Sequence, residues 1–252
     1  QTSNMIKIIK TLLVENIYNR KELAKLIDNY LRVQQLEKKE SAEVTTPYKC
    51  RQEMLDTIPE EFWTYTKKIL EPCSGKCGFI LDIIDRLMDG LKDEIDDEKE
   101  RYRTIIEEML YFSDINPTNI FIAKLLTDPY NEYQLNYNIG NTLELDITQT
   151  TSTWKGIEKF DAVIGNPPYE NKDKKGDNHL YIDFTVFSLN NLKKNGLLLF
   201  VTPKLIIDNL LRCQINRKRI DKVYNIKYMA IDTPKRYFKE IGTNFIYFLL
   251  QK

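Results

Sequence analysis

Four consecutive residues, Asn166-Pro167-Pro168-Tyr169, join a neutral amide, two residues of fixed φ and an aromatic ring. An amino group conjugated to a ring, such as that of adenine, is a poor nucleophile because its lone pair is delocalised. Two carbonyl oxygens, one from a side chain and one from the backbone, each accepting one of its hydrogens, favour a pyramidal nitrogen. The lone pair then points at an electrophile. Asn166 supplies a neutral acceptor of this kind. Pro167 and Pro168 hold the preceding residues extended, so the loop keeps one shape. Tyr169 offers a flat face for a base that has left its stack; a base in a duplex reaches a deep pocket only after flipping out. Read without chemistry, the same residues are a Pro-Pro strand end with a tyrosine packed nearby.

The apolar run 160–164 makes this motif the end of a strand, and the other polar residues of interest also follow strands. The sequence 71–79, Glu-Pro-Cys-Ser-Gly-Lys-Cys-Gly-Phe, reads as a strand–loop–helix junction with two glycines that let a ligand approach the backbone. Asp114 ends a second strand, where a carboxylate either accepts hydrogen bonds from ribose hydroxyls or caps the helix beginning near Pro117. Strands are predicted at 69–70, 110–112, 137–139, 160–164, 197–201, 224–229 and 245–250. Helices are predicted at 79–91, 118–126 and 179–192, with a turn at Lys194-Asn195-Gly196. Residues 93–100 hold six acids in eight positions and read as a solvated insertion. The alternation implies an α/β fold with a doubly wound, mostly parallel sheet of seven strands, whose ligands lie beyond the carboxyl ends of the strands. Before it, apolar residues from Ile6 to Leu31 recur at spacings of three and four. They predict a helical arm within residues 1–40, with Asn19 capping its second helix.

The bulk properties narrow the class. The chain has 252 residues and a formal net charge of zero, from 37 basic and 37 acidic side chains. That length suits one large α/β domain with an appendage. Any nucleic-acid contact must come from a local basic face. Four cysteines without a C-x-x-C pair and a single histidine, His179, argue against a metal cluster and suit a reducing compartment. No signal peptide is visible and apolar runs such as 196–201 are too short to span a bilayer. The chain therefore reads as soluble, cytoplasmic and not bound to a membrane.

Together these motifs resemble, in order, those of the gamma class of amino-methyltransferases that act on adenine N6 in DNA. The resemblance covers residues 41–252, and it implies the Rossmann-like methyltransferase fold, S-adenosyl-L-methionine as cofactor and DNA as partner. Thr45-Thr46-Pro47 resembles the segment that closes over the methionine end of the cofactor. Residues 71–79, with Glu71, Cys73, Gly75, Gly78 and Phe79, resemble the first cofactor loop. Asp114 and Ile115 resemble the ribose-binding segment and the residue flanking the cofactor's adenine, and Asn141 with Thr142 the segment holding its amino group. Asn166, Pro167, Pro168 and Tyr169 match the catalytic motif, and Phe238 matches the aromatic residue that contacts the flipped base. Two positions depart from the family: Cys77 replaces a glycine and Asn141 an acid.

Lys172, Lys174 and Lys175 follow the motif where a DNA backbone would lie. Arg212, Arg217, Lys218, Arg219 and Lys222 form a second basic cluster, read either as a phosphate contact or as a solvated face. His179 reads as a structural or helix-start residue. The expected activity is methyl transfer to the N6 of a flipped-out adenine, as in restriction–modification systems. The alternatives are a methyltransferase of protein glutamine or an RNA base, and an inactive cofactor-binding subunit. In the resembling family a target-recognition domain commonly follows; these 252 residues include none, so sequence selection is expected from the rest of a longer chain or from a separate specificity or nuclease domain or subunit.

Overall fold

The computed structural model describes residues 2–15, 19, 22, 25, 46–75, 77–148, 154, 157–169, 179–212, 214–215, 218–219, 224–231, 237 and 244–252. Helix α1 spans Thr2–Glu15; its Leu13 is buried and belongs to the main apolar core. The Asn19 carboxamide accepts a hydrogen bond from the Glu22 amide at 3.1 Å, the contact of an N-cap. The rest of the expected arm lies outside the described residues.

The elements then run α2 (Tyr48–Leu55), β1 (Ile69–Glu71), α3 (Gly78–Gly90), α4 (Glu98–Thr104), β2 (Leu110–Asp114), α5 (Pro117–Thr127), β3 (Asn136–Ile139), β4 (Phe160–Gly165), α6 (Leu180–Asn190), β5 (Leu192–Pro203), α7 (Ile207–Leu211), β6 (Gln214–Ile215), β7 (Lys218–Arg219), β8 (Asn225–Ala230) and β9 (Phe245–Gln251). Among the described residues seven strands form one sheet in the order β3-β2-β1-β4-β5-β9-β8, and β6 pairs with β7. β1 to β5 are mutually parallel and β9 runs antiparallel between β5 and β8. Seven strands were expected at these places, and the sheet is mostly parallel as anticipated.

Apolar residues on adjacent positions of a strand go to opposite faces, and here both faces are covered. Ile69, Phe112, Ala162, Ile164, Leu199 and Val201 join the core that includes α3. Leu70, Tyr111, Val163, Leu198, Phe200 and Phe248 join the other, with Tyr181, Ile182 and Phe184 of α6. This double coverage explains why these strands are continuous apolar runs. The expected turn at 194–196 instead lies inside β5. Phe160 pairs with Leu192 but Ala162 with Leu197, so the chain bulges there, and Asn195 takes φ 67°. Lys252 holds the bulge in the sheet: its carbonyl accepts from the Asn195 amide and its amide donates to the Gly196 carbonyl. The acidic stretch is a solvated turn leading into α4, whose first turn is capped by Asp97 accepting from the Glu100 amide at 2.7 Å.

The strand order reverses at β1 and β4: the chain leaves β1 toward β2 and β3 on one side, and β4 toward β5 on the other. The crevice beyond the carboxyl ends of strands at such a switch point is where ligands bind. Glu71 and Asn166 flank it.

Candidate functional site

Four loops meet at this crevice. The first follows β1. Gly75 has φ 51° and Cys77 φ 75°, both left-handed. That region suits glycine and costs an ordinary residue about 1–2 kcal/mol, so the family's glycine at position 77 has a steric reason. Cys77 is fully buried among apolar side chains, which offsets the strain and pushes its thiol pKa up through desolvation. The Ser74 hydroxyl is buried with no hydrogen-bond partner among the described residues. Lys76 is outside the described residues.

The second loop follows β2. Asp114 is 8% exposed and ties the loops together. One carboxylate oxygen accepts from the Gly75 amide and the other from the Asn116 amide, each at 2.8 Å, and Asn119 donates from its side chain. Burial raises its pKa, opposed by these bonds. The helix N-cap is Asn116, which accepts from the Thr118 amide, so Asp114 is not the cap. Ile115 beside it is 72% exposed.

The loop after β3 brings Asn141 and Thr142. The Asn141 side chain is exposed and accepts from the Leu143 amide at 3.1 Å. Thr142 is buried; its hydroxyl donates to the Pro72 carbonyl at 2.5 Å and lies 2.8 Å from the Ser113 hydroxyl. Thr142 thus fixes loop shape from below.

The fourth loop, after β4, holds the Asn-Pro-Pro-Tyr motif. A Cβ on Gly165 would lie 2.5 Å from Glu71 Oε1, so this glycine leaves space for the Glu71 carboxylate. Glu71 is 1% exposed and accepts from the Cys73 amide at 3.2 Å; desolvation drives its pKa well above the usual carboxylate range. Asn166 Nδ2 donates to Thr46 Oγ1 at 2.9 Å, its Oδ1 accepts from the Tyr169 hydroxyl at 2.7 Å, and its carbonyl accepts from the Cys73 thiol at 3.2 Å. Pro167 is buried and Pro168 exposed. The Tyr169 ring packs 5.1 Å from that of Phe245, and burial raises its hydroxyl pKa.

Cys73, Gly75, Asp114, Asn166 and Thr46 therefore converge. Pro47 precedes α2, its carbonyl accepting the Arg51 amide at 3.0 Å. Phe79 is 4% exposed in the core. Gly78 leaves space for protein rather than ligand: a Cβ there would lie 2.6 Å from Arg51 Nη1. Lys172, Lys174, Lys175, Arg217, Lys222 and Phe238 lie outside the described residues. His179 is the N-cap of α6, where its carbonyl accepts from the Ile182 amide at 3.0 Å and its side chain makes no capping bond. The sequence reading missed Arg51 and Asp82, a buried ion pair with side chains 1% and 2% exposed. A carboxylate inside the run Phe79-Ile80-Leu81-Asp82-Ile83-Ile84 was the available signal.

With this geometry in place, residues 82–231 match the Eco57I restriction-modification methylase family. The chain belongs to that family. A modification methylase, CviBIII, of Paramecium bursaria Chlorella virus NC1A is 38% identical over 63 residues, which cover 21% of this chain and 16% of the viral protein. The fold is similar to that of a Listeria monocytogenes protein described as a class I S-adenosylmethionine-dependent methyltransferase (TM-score 0.57, 14% identity, 92% of this chain and 68% of that one). It is also similar to a chain of the DrdV–DNA complex (TM-score 0.60, 17% identity, 92% of this chain and 29% of that one). Family and fold imply S-adenosylmethionine as the cofactor. The crevice suits it: a buried carboxylate at Asp114, a buried Ser74 hydroxyl with no partner among the described residues, and apolar Ile115 exposed next to Asp114. Among the described residues no helix is long and apolar enough to cross a membrane.

Proposed function

We propose that this family member methylates the N6 amino group of a flipped-out adenine in DNA. The observation that carries the reading is the Asn166 amide, held between Thr46 and Tyr169 at the carboxyl end of β4, beside the loop after β1. S-adenosylmethionine supplies an electrophilic methyl group on a sulfonium sulfur. On this reading Asp114 and Ile115 hold its ribose and adenine. A carboxylate has about four acceptor positions; Gly75, Asn116 and Asn119 use three, which leaves one for a ribose hydroxyl.

Asn166 Oδ1 has two lone pairs. Tyr169 takes one, and the target amine donates to the other. The N–CH3 bond forms as the S–CH3 bond breaks, sulfur keeps the electron pair, and the methylated nitrogen then loses a proton to solvent. No general base is needed, which leaves His179 outside the chemistry. Lys172, Lys174 and Lys175 take the DNA backbone, and Phe238 contacts the extruded base. Residues 41–252 are the methyltransferase domain and 1–40 its helical arm. The match includes only 29% of the DrdV chain; on this reading, site selection falls to a further domain or subunit.

The test is incubation of the protein with isotope-labelled S-adenosylmethionine and DNA, RNA or protein, followed by mass analysis. Labelled N6-methyladenine in DNA supports the proposal. Label confined to RNA or to glutamine side chains refutes it.

A further inference from the structure

The amide of an asparagine turns about a broad terminal torsion, so its direction is set by its neighbours rather than by its own rotamer. Asn166 Nδ2 rests on Thr46 Oγ1 at 2.9 Å. Thr46 is itself 5% exposed and held by its backbone: its carbonyl accepts from Arg51 Nη1 at 2.8 Å. The Arg51 guanidinium is pinned at Nε by Asp82 of α3, and Gly78 supplies the space it occupies. A continuous chain of polar contacts therefore runs from α3 through α2 to the amide at the site: Asp82, Arg51, Thr46, Asn166. It buries a full ion pair beneath a loop of the site, and a buried pair is weak evidence for stability by itself.

We propose that Arg51, anchored by Asp82, is a positioning residue that fixes the Asn166 amide through Thr46, and that Thr46 acts on the target-binding amide rather than on the cofactor. The inference rests on Asn166 being the acceptor of the target amine. Lysine cannot replace arginine here: a point charge that stays on Asp82 loses the second arm of the fork that reaches the Thr46 carbonyl.

The experiment measures methyl transfer by the full-length protein with labelled S-adenosylmethionine and unmodified duplex DNA, and cofactor affinity by calorimetry. Thr46→Val should lower kcat about tenfold, the worth of one hydrogen bond, with the KM for DNA and the Kd for S-adenosylmethionine within about twofold of the parent. Thr46→Ser should restore kcat. Arg51→Lys should lower kcat to a similar degree, and adding Thr46→Val should cost little more, because both act through one contact; variants are compared below their measured melting temperatures. Unchanged kcat in Thr46→Val overturns the inference. So does a tenfold loss of cofactor affinity with kcat intact, which would make Thr46 a cofactor contact. Asn166→Ala separates the two failures: if it is inactive while Thr46→Val is not, only the positioning role falls. If Asn166→Ala transfers normally, the reading of the motif falls with it.

Discussion

Lys67 precedes β1 and is 5% exposed. Its ammonium lies 3.7 Å from the ring centroid of Phe62 and 3.6 Å from that of Tyr65, with no hydrogen-bond partner among the described residues. Desolvation pushes its pKa down to about 7, against a smaller pull from Asp161. An unfolded lysine titrates near 10.4, so the difference corresponds to at most about 4–5 kcal/mol of lost stability. Two ring faces favour the cation and return about 1–2 kcal/mol of this, leaving a net cost of about 3 kcal/mol. The sign follows from the folded state's preference for the neutral amine. The cost is complete below pH 7 and shrinks as pH rises from 7 toward 10.4, so stability rises across that window. Lys67→Met keeps the stem length and places a thioether against the same rings. It should raise the melting temperature at pH 7 by about 6–12 °C, at roughly 2–4 °C per kcal/mol for a domain of this size. The gain should fade as pH approaches 10. Melting curves of parent and variant from pH 6 to 10 decide the matter: parallel pH profiles, or a variant less stable at pH 7, would refute the reasoning.

Three further outcomes are expected. Gly165→Ala places a methyl 2.5 Å from Glu71 Oε1 and should cost about 1–3 kcal/mol, seen in denaturant unfolding; a neutral result would mean that Glu71 is free to move. Asp114→Ala removes the tie between the loops after β1 and β2 and should weaken S-adenosylmethionine binding by about 1–3 kcal/mol, measured by calorimetry, with unchanged affinity counting against its role. Tyr169→Phe keeps the ring on Phe245 but removes the hydroxyl's bond to Asn166 Oδ1 and should lower kcat about tenfold, whereas Tyr169→Ala should lose still more from lost stacking. Equal losses in single-turnover assays would assign the whole effect to the hydroxyl.

Much of the sheet was legible in the sequence because its strands are buried on both faces and read as unbroken apolar runs, as at Leu197 to Val201. The turn at 194–196 was misread because its Lys-Asn-Gly chemistry is real but local. The pairing of Lys252 with Asn195 and Gly196 keeps it within β5, and such a partner 56 residues away leaves no local trace. In the site, Gly78 was legible as a special position but not for the right reason, since it makes room for Arg51; Gly165, which makes room for Glu71, was not singled out. Asp114 was read as either ligand or cap, and Asn116 took the cap. Arg51 went unnoticed because an arginine in a short polar helix looks like solvent-facing surface. Only the fold places it against Asp82.

The methyl-transfer chemistry proposed for this site depends on Asn166 presenting an acceptor to a target adenine. Its most direct test is nucleoside mass analysis of DNA treated with parent and Asn166→Ala protein, alongside the Kd of each for S-adenosylmethionine. The expected result is N6-methyladenine with the parent, none above background with the variant, and cofactor affinity within a few-fold. Near-normal N6-methyladenine from Asn166→Ala, or a methylated product other than N6-methyladenine from the parent, would contradict it.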